Sequence, residues 1–211
     1  PRDGYSRGFQ ALLEECSTGA ELVSKLRPNS TKNGAAMRSV PLGVMHGEHD
    51  VMTHCTLQAC VTHNTPDGIA SSQIVGLLSH HALRTDDPFP LIIDKIAGRF
   101  KEYDDIFVIP WRGRVVDRTK SGGRDVGINT VHAVVTLLRE QRTLLGILNQ
   151  VIEWGGDTDS VAAIAWGIAS TRMHEQLPAF FEDDLEKGRS FGASFLRGLG
   201  SELMETYGGK G

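Results

Sequence analysis

The densest group of chemically capable side chains lies in the run 155–160, which reads Gly-Gly-Asp-Thr-Asp-Ser. Asp157 and Asp159 place two carboxylates two residues apart, and Ser160 adds a hydroxyl beside the second. Hard cations such as Mg²⁺ bind where several oxygen ligands converge. A helix N-terminus needs only one capping side chain, which contributes about 1 kcal/mol. The residues alone therefore leave two interpretations open, a metal site and an elaborate helix cap.

The neighbouring residues predict the elements that position this run. The sequence 161–169 is apolar and rich in alanine, which indicates a helix packed closely in the core. The preceding helix is predicted to end at Gly155 and Gly156, because glycine allows the backbone to turn sharply. We therefore expect the two carboxylates at the start of a helix that is held against the core.

Apolar residues at helical spacing run through most of the remaining chain and predict an all-α fold. Residues 29–43 and 112–127 are predicted as loops, Ile106–Ile109 as a short strand, and Asp67 as a helix cap. No strand–helix alternation and no internal repeat is visible, so we predict one compact domain over residues 1–211, with a mobile tail at 208–211. Helices are predicted for 9–16, 22–26, about 50–61, 67–83, 92–100, 131–138, 144–152 and 191–203, and a further helix is predicted to start at the turn 157–160 and to include 161–169.

Composition excludes several function classes. The 211 residues carry a net charge of −4 and no dense basic run, so there is no strong signal for nucleic-acid binding. Apolar stretches are shorter than the roughly 18–20 residues that a membrane span needs. Cys16, Cys55 and Cys60 are odd in number and lack Cys-x-x-Cys spacing, which favours a reduced, cytoplasmic setting.

Two further segments are candidates for ligand binding. Residues 33–38 read Asn-Gly-Ala-Ala-Met-Arg, and small side chains allow backbone N–H groups to approach an anion closely. An ordinary interhelical loop is the alternative. His63 follows a predicted helix, where it could donate to a phosphate, take part in acid–base chemistry or cap carbonyl groups.

Read in order, the segments 33–38, 62–63 and 155–163 resemble the ADP-ribosylglycohydrolase family. This family includes dinitrogenase reductase activating glycohydrolase and the ADP-ribosyl-acceptor hydrolases. The resemblance extends from Tyr5 over essentially the whole chain. It implies an all-α fold with two Mg²⁺ or Mn²⁺ ions at the bottom of an ADP-ribose cleft. By this resemblance Asp157, Asp159 and Ser160 are metal ligands, with Ser160 standing where many relatives have threonine.

The same resemblance implies which residues bind the substrate. His63 would hydrogen-bond the phosphates, and the loop at 33–37 would hold the diphosphate and adenosine. The implied reaction is metal-dependent hydrolysis of an ADP-ribosyl glycosidic bond, which removes ADP-ribose from a modified protein or another acceptor. The complete set of implied ligand-binding residues is Asn33, Gly34, Ala35, Ala36, Met37, His63, Gly155 and Gly156.

One departure from the family pattern concerns the other half of the metal site. Relatives carry a helix with Gly-Asp and a glutamate, followed by a Thr-Asp-Asp-Thr turn, and neither motif is in this sequence. Glu14, Glu15, Asp104 and Asp105 do not match these motifs, so the catalytic residue is left unassigned. Three explanations stay open: a piece of a longer hydrolase, a shortened relative that binds ADP-ribose or a nucleotide without hydrolysis, and a site completed by another chain.

Overall fold

The computed structural model of the chain describes residues 7–186 and 190–208. Across these ranges the regular structure is helical and no strand forms, which confirms the predicted all-α, compact fold. The bounds 1–211 and the tail at 208–211 stay predictions, and residues 209–211 lie outside the described residues. The helices are α1 (Arg7–Glu15), α2 (Gly19–Lys25), α3 (Gly34–Ser39), α4 (Glu48–Cys60), α5 (Pro66–Arg84), α6 (Phe89–Ala97), α7 (Asp104–Val108), α8 (Val126–Glu140), α9 (Leu144–Trp154), α10 (Thr158–Ala169), α11 (Phe180–Asp183) and α12 (Ala193–Tyr207), with 3₁₀ segments at Val40–Val44, Lys101–Tyr103 and Thr119–Ser121.

Helix α5 lies at the centre of the core, and α3, α4, α6, α8 and α10 pack around it. Its side chains Ile74, Leu77 and Leu78 are fully buried, and burial of each such side chain contributes about 1.5–3 kcal/mol. The helix begins after Thr65, whose hydroxyl accepts a hydrogen bond from the Gly68 backbone N–H at 3.0 Å. The prediction that Asp67 caps this helix is therefore wrong. The Asp67 carboxylate instead accepts a hydrogen bond from the Tyr103 hydroxyl.

The prediction of a loop over residues 29–43 is wrong for its second part, where α3 forms and a 3₁₀ turn follows. Ala35 and Ala36 are fully buried on this helix. The Ala35 carbonyl accepts hydrogen bonds from the Ser39 hydroxyl and the Gln58 side-chain amide. Tertiary packing and these hydrogen bonds outweigh the weak local helix signal of the glycine and proline residues.

The prediction of a strand at Ile106–Ile109 is also wrong, because most of this run belongs to α7. Ile106 and Phe107 are neighbours in the sequence, and both side chains are buried in the core. A helix can bury two neighbouring side chains against the same core, whereas successive side chains of a strand point to opposite faces. Asp104 and Asp105 lie in the first turn, where negative charge is favourable for the helix dipole. A run of four β-branched and aromatic residues is too short to distinguish strand from helix by pattern.

The helices near the two ends of the described chain contribute least to the core. None of α1, α2 and α12 has a buried residue. Trp111 and Trp154 are buried, and Trp166 packs against the core. Over the ranges that the structure describes, no helix is both long and apolar enough to cross a membrane.

Candidate functional site

The run 155–157 is held in place by backbone hydrogen bonds to a distant loop. The Val115 N–H donates to the Gly155 carbonyl at 3.2 Å, and the Asp157 N–H donates to the Val115 carbonyl at 3.0 Å. Gly155 and Gly156 have φ angles of +69° and +87°, which L side chains rarely adopt. A Cβ atom at Gly156 would lie 2.3 Å from the Val115 carbonyl oxygen. The close approach of the two backbones therefore requires glycine at position 156.

The two carboxylates stand at the start of α10, as predicted. Asp157 immediately precedes this helix, but its side chain makes no capping hydrogen bond to the helix backbone. The interaction with the Asp157 side chain, followed by the hydrogen bond from the Ser160 backbone N–H, lowers the pKa of Asp159. Ser160 follows at a buried position. The three oxygen-bearing side chains of the motif thus lie at one helix end, and capping does not account for Asp157.

A single side chain connects this turn with the first predicted loop. The Asn33 side-chain amide donates one hydrogen bond to Asp157 Oδ2 at 2.8 Å and another to Thr130 Oγ1 at 3.1 Å. Asn33 is only 6% exposed, and it is 124 residues away from Asp157 in the sequence. Thr130 was not among the predicted site residues, because its place in the middle of α8 gives no sequence signal.

His63 lies against the beginning of α3. Its backbone forms an isolated antiparallel bridge with Asn29, and the residue is 5% exposed. A Cβ atom placed on Gly34 would lie 3.3 Å from His63 Cε1 and 3.7 Å from Nε2, so this edge of the imidazole faces Gly34. His63 Nδ1 lies 2.6 Å from the Thr62 hydroxyl, whereas Nε2 is buried and has no hydrogen-bond partner.

The charged residue Arg38 lies beside His63. Arg38 belongs to the segment 33–38, but no role in the site was predicted for it from the sequence. Its guanidinium donates to the Thr62 hydroxyl at 2.9 Å and to the Gln58 side chain at 2.9 Å. Burial is the largest cause that lowers the pKa of His63 to about 4, and the positive charge of Arg38 is the second. The imidazole is therefore uncharged at neutral pH.

The structure brings four of the predicted residues close together: Asn33 and Gly34 at the start of α3, with Asp157 on one side and His63 on the other. Ala35 and Ala36 have no exposed surface, whereas Met37 is 40% exposed. Ligand contact by these three residues stays a prediction. A cavity of about 840 Å³ between α1, α2 and the segment 26–30 reaches the site at Thr62.

A family model described as ADP-ribosylglycohydrolase matches residues 2–210, essentially the whole chain. The chain belongs to the ADP-ribosylglycohydrolase family. This match confirms the resemblance that the three sequence segments indicated, and it supports a hydrolase of the ADP-ribosylglycohydrolase type with ADP-ribosylated substrates. A comparison with curated proteins gives no match.

The ADP-ribosylglycohydrolase family implies a divalent metal site, and the residues at the start of α10 fit it in kind. Asp157, Asp159 and Ser160 offer the oxygen donors that Mg²⁺ and Mn²⁺ prefer. The number of donors is smaller than two ions need, since no group of three or more His, Cys, Asp or Glu residues among the described positions could hold a metal ion. Metal binding by Asp157, Asp159 and Ser160 therefore stays a prediction.

Proposed function

We propose that this chain binds ADP-ribose between the start of α3 and the turn at 155–160, and hydrolyses an ADP-ribosyl glycosidic bond with the help of Mg²⁺ or Mn²⁺. The observation that carries the proposal is the 2.8 Å hydrogen bond from Asn33 to Asp157, because it joins two family segments that lie far apart in the sequence. The free cysteines are consistent with the reduced, cytoplasmic setting that we propose with it.

The two sides of this site suit the two chemical parts of the ligand. Near Gly34, the Arg38 guanidinium and the uncharged imidazole of His63 provide hydrogen-bond donors for a diphosphate. At the other side, Asp157, Asp159 and Ser160 would hold the metal ion, which when bound polarises coordinated oxygens and orients a water molecule. The Asn33 amide keeps the Asp157 carboxylate directed toward α3. The site thus offers a donor-rich end for phosphates and an oxygen-rich end for a cation and the ribose.

A second function is favoured by the small number of metal ligands. Two carboxylates and one hydroxyl supply part of a two-ion site, so this chain on its own would bind ADP-ribose and hydrolyse it slowly or not at all. Such a protein would act as an ADP-ribose or nucleotide reader, or it would complete its site with residues from another polypeptide. The two functions share the binding step and differ in turnover.

The binding step is tested by titration calorimetry with ADP-ribose, in the presence of Mg²⁺, of Mn²⁺ and of a chelator. We expect metal-dependent binding that is lost in Asp157→Asn and Asp159→Asn. Asp183→Asn is the matched control, because Asp183 is an exposed carboxylate on α11, outside the site. Absence of binding under all three conditions would refute both functions.

Turnover is then measured on proteins that carry ADP-ribose on arginine or on serine. Release of free ADP-ribose in the presence of metal supports the hydrolase, and loss of release in Asp157→Asn ties the activity to this site. Binding of ADP-ribose without release from either linkage supports the reader.

A further inference from the structure

The loop between α7 and α8 has a charge opposite to that of the whole chain. Residues 112–124, which we call the basic loop, contain five cationic side chains and one carboxylate, whereas the chain carries a net charge of −4. The cations are Arg112, Arg114, Arg118, Lys120 and Arg124. A segment of this composition attracts anionic partners unless its own neighbours neutralise it.

Neighbouring carboxylates neutralise only two of the five cations. The Arg112 guanidinium lies 2.8 Å from the Glu140 carboxylate, and Arg124 lies 2.7 Å from that of Asp105. Three exposed cations have no ion-pair partner among the residues that the structure describes, namely Arg114, Arg118 and Lys120. Positive charge is therefore available to a binding partner at three positions of the basic loop.

Hydrogen bonds at the base of the basic loop give these charges defined positions. The Trp111 backbone N–H donates to the Thr136 hydroxyl at 2.8 Å, and the Trp111 indole N–H donates to the Gly113 carbonyl at 2.7 Å. The Arg118 guanidinium lies 4.8 Å from the centroid of the Trp111 ring, where cation–π attraction is favourable. Arg118 is thus supported by a side chain that is itself held in place.

The basic loop borders the candidate site from Gly155 to Thr31. Arg114 directly precedes Val115, and a Cβ atom placed on Gly155 would lie 3.9 Å from Arg114 Cγ and Nε. Further along the loop, the Asp117 carboxylate accepts a hydrogen bond from the Thr31 hydroxyl at 3.4 Å. The proposed function puts the ribose and its glycosidic bond at the metal end, beside Gly155. A group attached to that ribose therefore leaves the site next to Arg114.

We propose that Arg114, Arg118 and Lys120 bind an acidic peptide segment next to the ADP-ribosylated residue of a protein substrate, so that the basic loop selects acceptors by their charge. This inference rests on the proposed function for the ADP-ribose group. Each exposed charge pair is weak, but several of them at the rim of a site set the preference for one partner over another.

A nucleic acid suits this surface less well. Proteins that bind single strands combine cations with aromatic rings on which the bases stack. The basic loop contains no aromatic residue, and the neighbouring Trp111 is only 5% exposed. An acidic peptide needs only the cations that the loop supplies.

The preference is measured with two fluorescent peptides that carry ADP-ribose on a central residue through a linkage resistant to hydrolysis. The flanking residues are glutamate in one peptide and glutamine in the other, so the two peptides differ mainly in charge. We expect fluorescence anisotropy to give a Kd about tenfold lower for the glutamate peptide, because three weak charge pairs add up. Salt at about 0.5 M should remove most of this difference by screening. Equal affinities at low salt would overturn the proposal.

The triple variant Arg114→Gln, Arg118→Gln and Lys120→Gln removes the three charges. We expect it to bind both peptides equally and to bind free ADP-ribose within about twofold of the wild type. Arg142→Gln is the matched control, because Arg142 is an exposed cation at the opposite end of α9 from the turn at 155–157. This control should keep the preference for the glutamate peptide.

Three results would assign the cations differently and overturn the proposal. Loss of the preference in Arg142→Gln would attribute it to the net charge of the protein. Weakened binding of free ADP-ribose in the triple variant, by the same factor as for the glutamate peptide, would assign the cations to the phosphates of ADP-ribose. Stronger competition by a single-stranded oligonucleotide than by the unmodified glutamate peptide would assign the loop to a nucleic acid.

Failure of the proposed function is recognised separately. If the wild type does not bind free ADP-ribose, the proposed function is refuted, and the basic loop is tested with the unmodified glutamate peptide alone. In ¹H–¹⁵N spectra of the full chain we expect this peptide to shift the backbone amide signals of residues 113–120 in the wild type but not in the triple variant. Absence of these shifts in the wild type would overturn the role of the basic loop.

Discussion

The two sides of the site are held by different kinds of contact. The turn at 155–157 is fixed by backbone hydrogen bonds to Val115 and by two glycines with positive φ angles. His63, on the other side, is surrounded by side-chain hydrogen bonds that involve Thr62, Arg38 and Gln58. The backbone hydrogen bonds of the turn depend on the path of both chain segments, so a substitution that shifts one segment breaks all of them together. The side-chain hydrogen bonds around His63 can be removed one at a time. We therefore expect large effects on stability at the turn and graded effects around His63.

The largest effect is expected for Gly156→Ala. The new Cβ atom would overlap with the Val115 carbonyl, and alanine would also have to adopt a φ angle near +87°. Strain at such a backbone position is about 1–3 kcal/mol, and the overlap adds about 1–3 kcal/mol. We expect the free energy of unfolding to fall by about 4 kcal/mol in urea denaturation.

Gly122→Ala separates the two contributions. Gly122 also has a positive φ angle, +78°, but a Cβ atom there would meet no atom within 4 Å. We expect this variant to lose about 1 kcal/mol. Equal losses in Gly122→Ala and Gly156→Ala would show that the Val115 junction does not constrain the turn.

Removal of the link between the two sides should have the next largest effect. Asn33→Ala deletes the hydrogen bonds to Asp157 and Thr130 from a buried position, and the expected loss is about 2 kcal/mol in the free energy of unfolding. Asn64→Ala is the control, since Asn64 is exposed and should change stability by less than about 0.5 kcal/mol. If Asn33→Ala and Asn64→Ala unfold at the same urea concentration, the hydrogen bonds of Asn33 do not stabilise the fold.

The pH dependence of stability should report on His63 itself. The pKa of His63 is about 4 in the folded protein and near 6.5 in the unfolded chain. Between these values the unfolded state binds more protons, so stability is lost as the pH falls from 6.5 to 4. His63→Gln should remove this loss, which is of the order of 2 kcal/mol, in urea denaturation repeated at several pH values.

Asp125 offers a contrast of opposite sign. Burial raises the pKa of this carboxyl, which caps α8, to about 6, from a normal value of 3.8. Here the folded state binds more protons, so this carboxyl stabilises the fold as the pH falls from 6 to 3.8. Asp125→Asn should remove that gain and make the acid loss steeper than in the wild type. Parallel pH profiles for His63→Gln and Asp125→Asn would contradict both assignments.

The smallest effect on stability is expected for Arg38→Met. Hydrogen bonds at an exposed position contribute little, so the free energy of unfolding should change by less than about 1 kcal/mol. The pKa of His63 should rise, because a nearby positive charge is removed, but burial should keep it below 6.5. An NMR titration of the His63 ring gives this pKa. If Arg38→Met lowered the free energy of unfolding as much as Gly156→Ala, the expected difference in stability between the turn at 155–157 and the surroundings of His63 would be contradicted.

Local signals in the sequence were sufficient to predict the motif turn and most helices. The run 155–160 was placed correctly at the start of α10, because two glycines end one helix and an apolar run begins the next. The helix start at Thr65 was missed in favour of Asp67, although Thr65 directly precedes Pro66, which suits the first helical position.

Contacts between distant residues could not be predicted from one sequence. The hydrogen bonds of Asn33 to Thr130 and Asp157 join segments with no common pattern, and α3 exists because Ala35 and Ala36 fit against the core. The strand predicted at Ile106–Ile109 failed for the same reason, since burial of Ile106 and Phe107 decided the structure. The sequence could name candidate residues for the site, but the tertiary fold determines which of them lie in contact.

The backbone junction at Val115 has a consequence for how this protein can change over generations. Position 115 must supply an N–H, a carbonyl and a side chain that tolerates burial, which excludes proline but accepts several apolar residues. The tip of the same loop, near residues 119–122, is exposed. Mutations and insertions can therefore accumulate at this tip while the two carboxylates keep their place. The loop is a segment where descendants of this protein can diversify next to an unchanged centre.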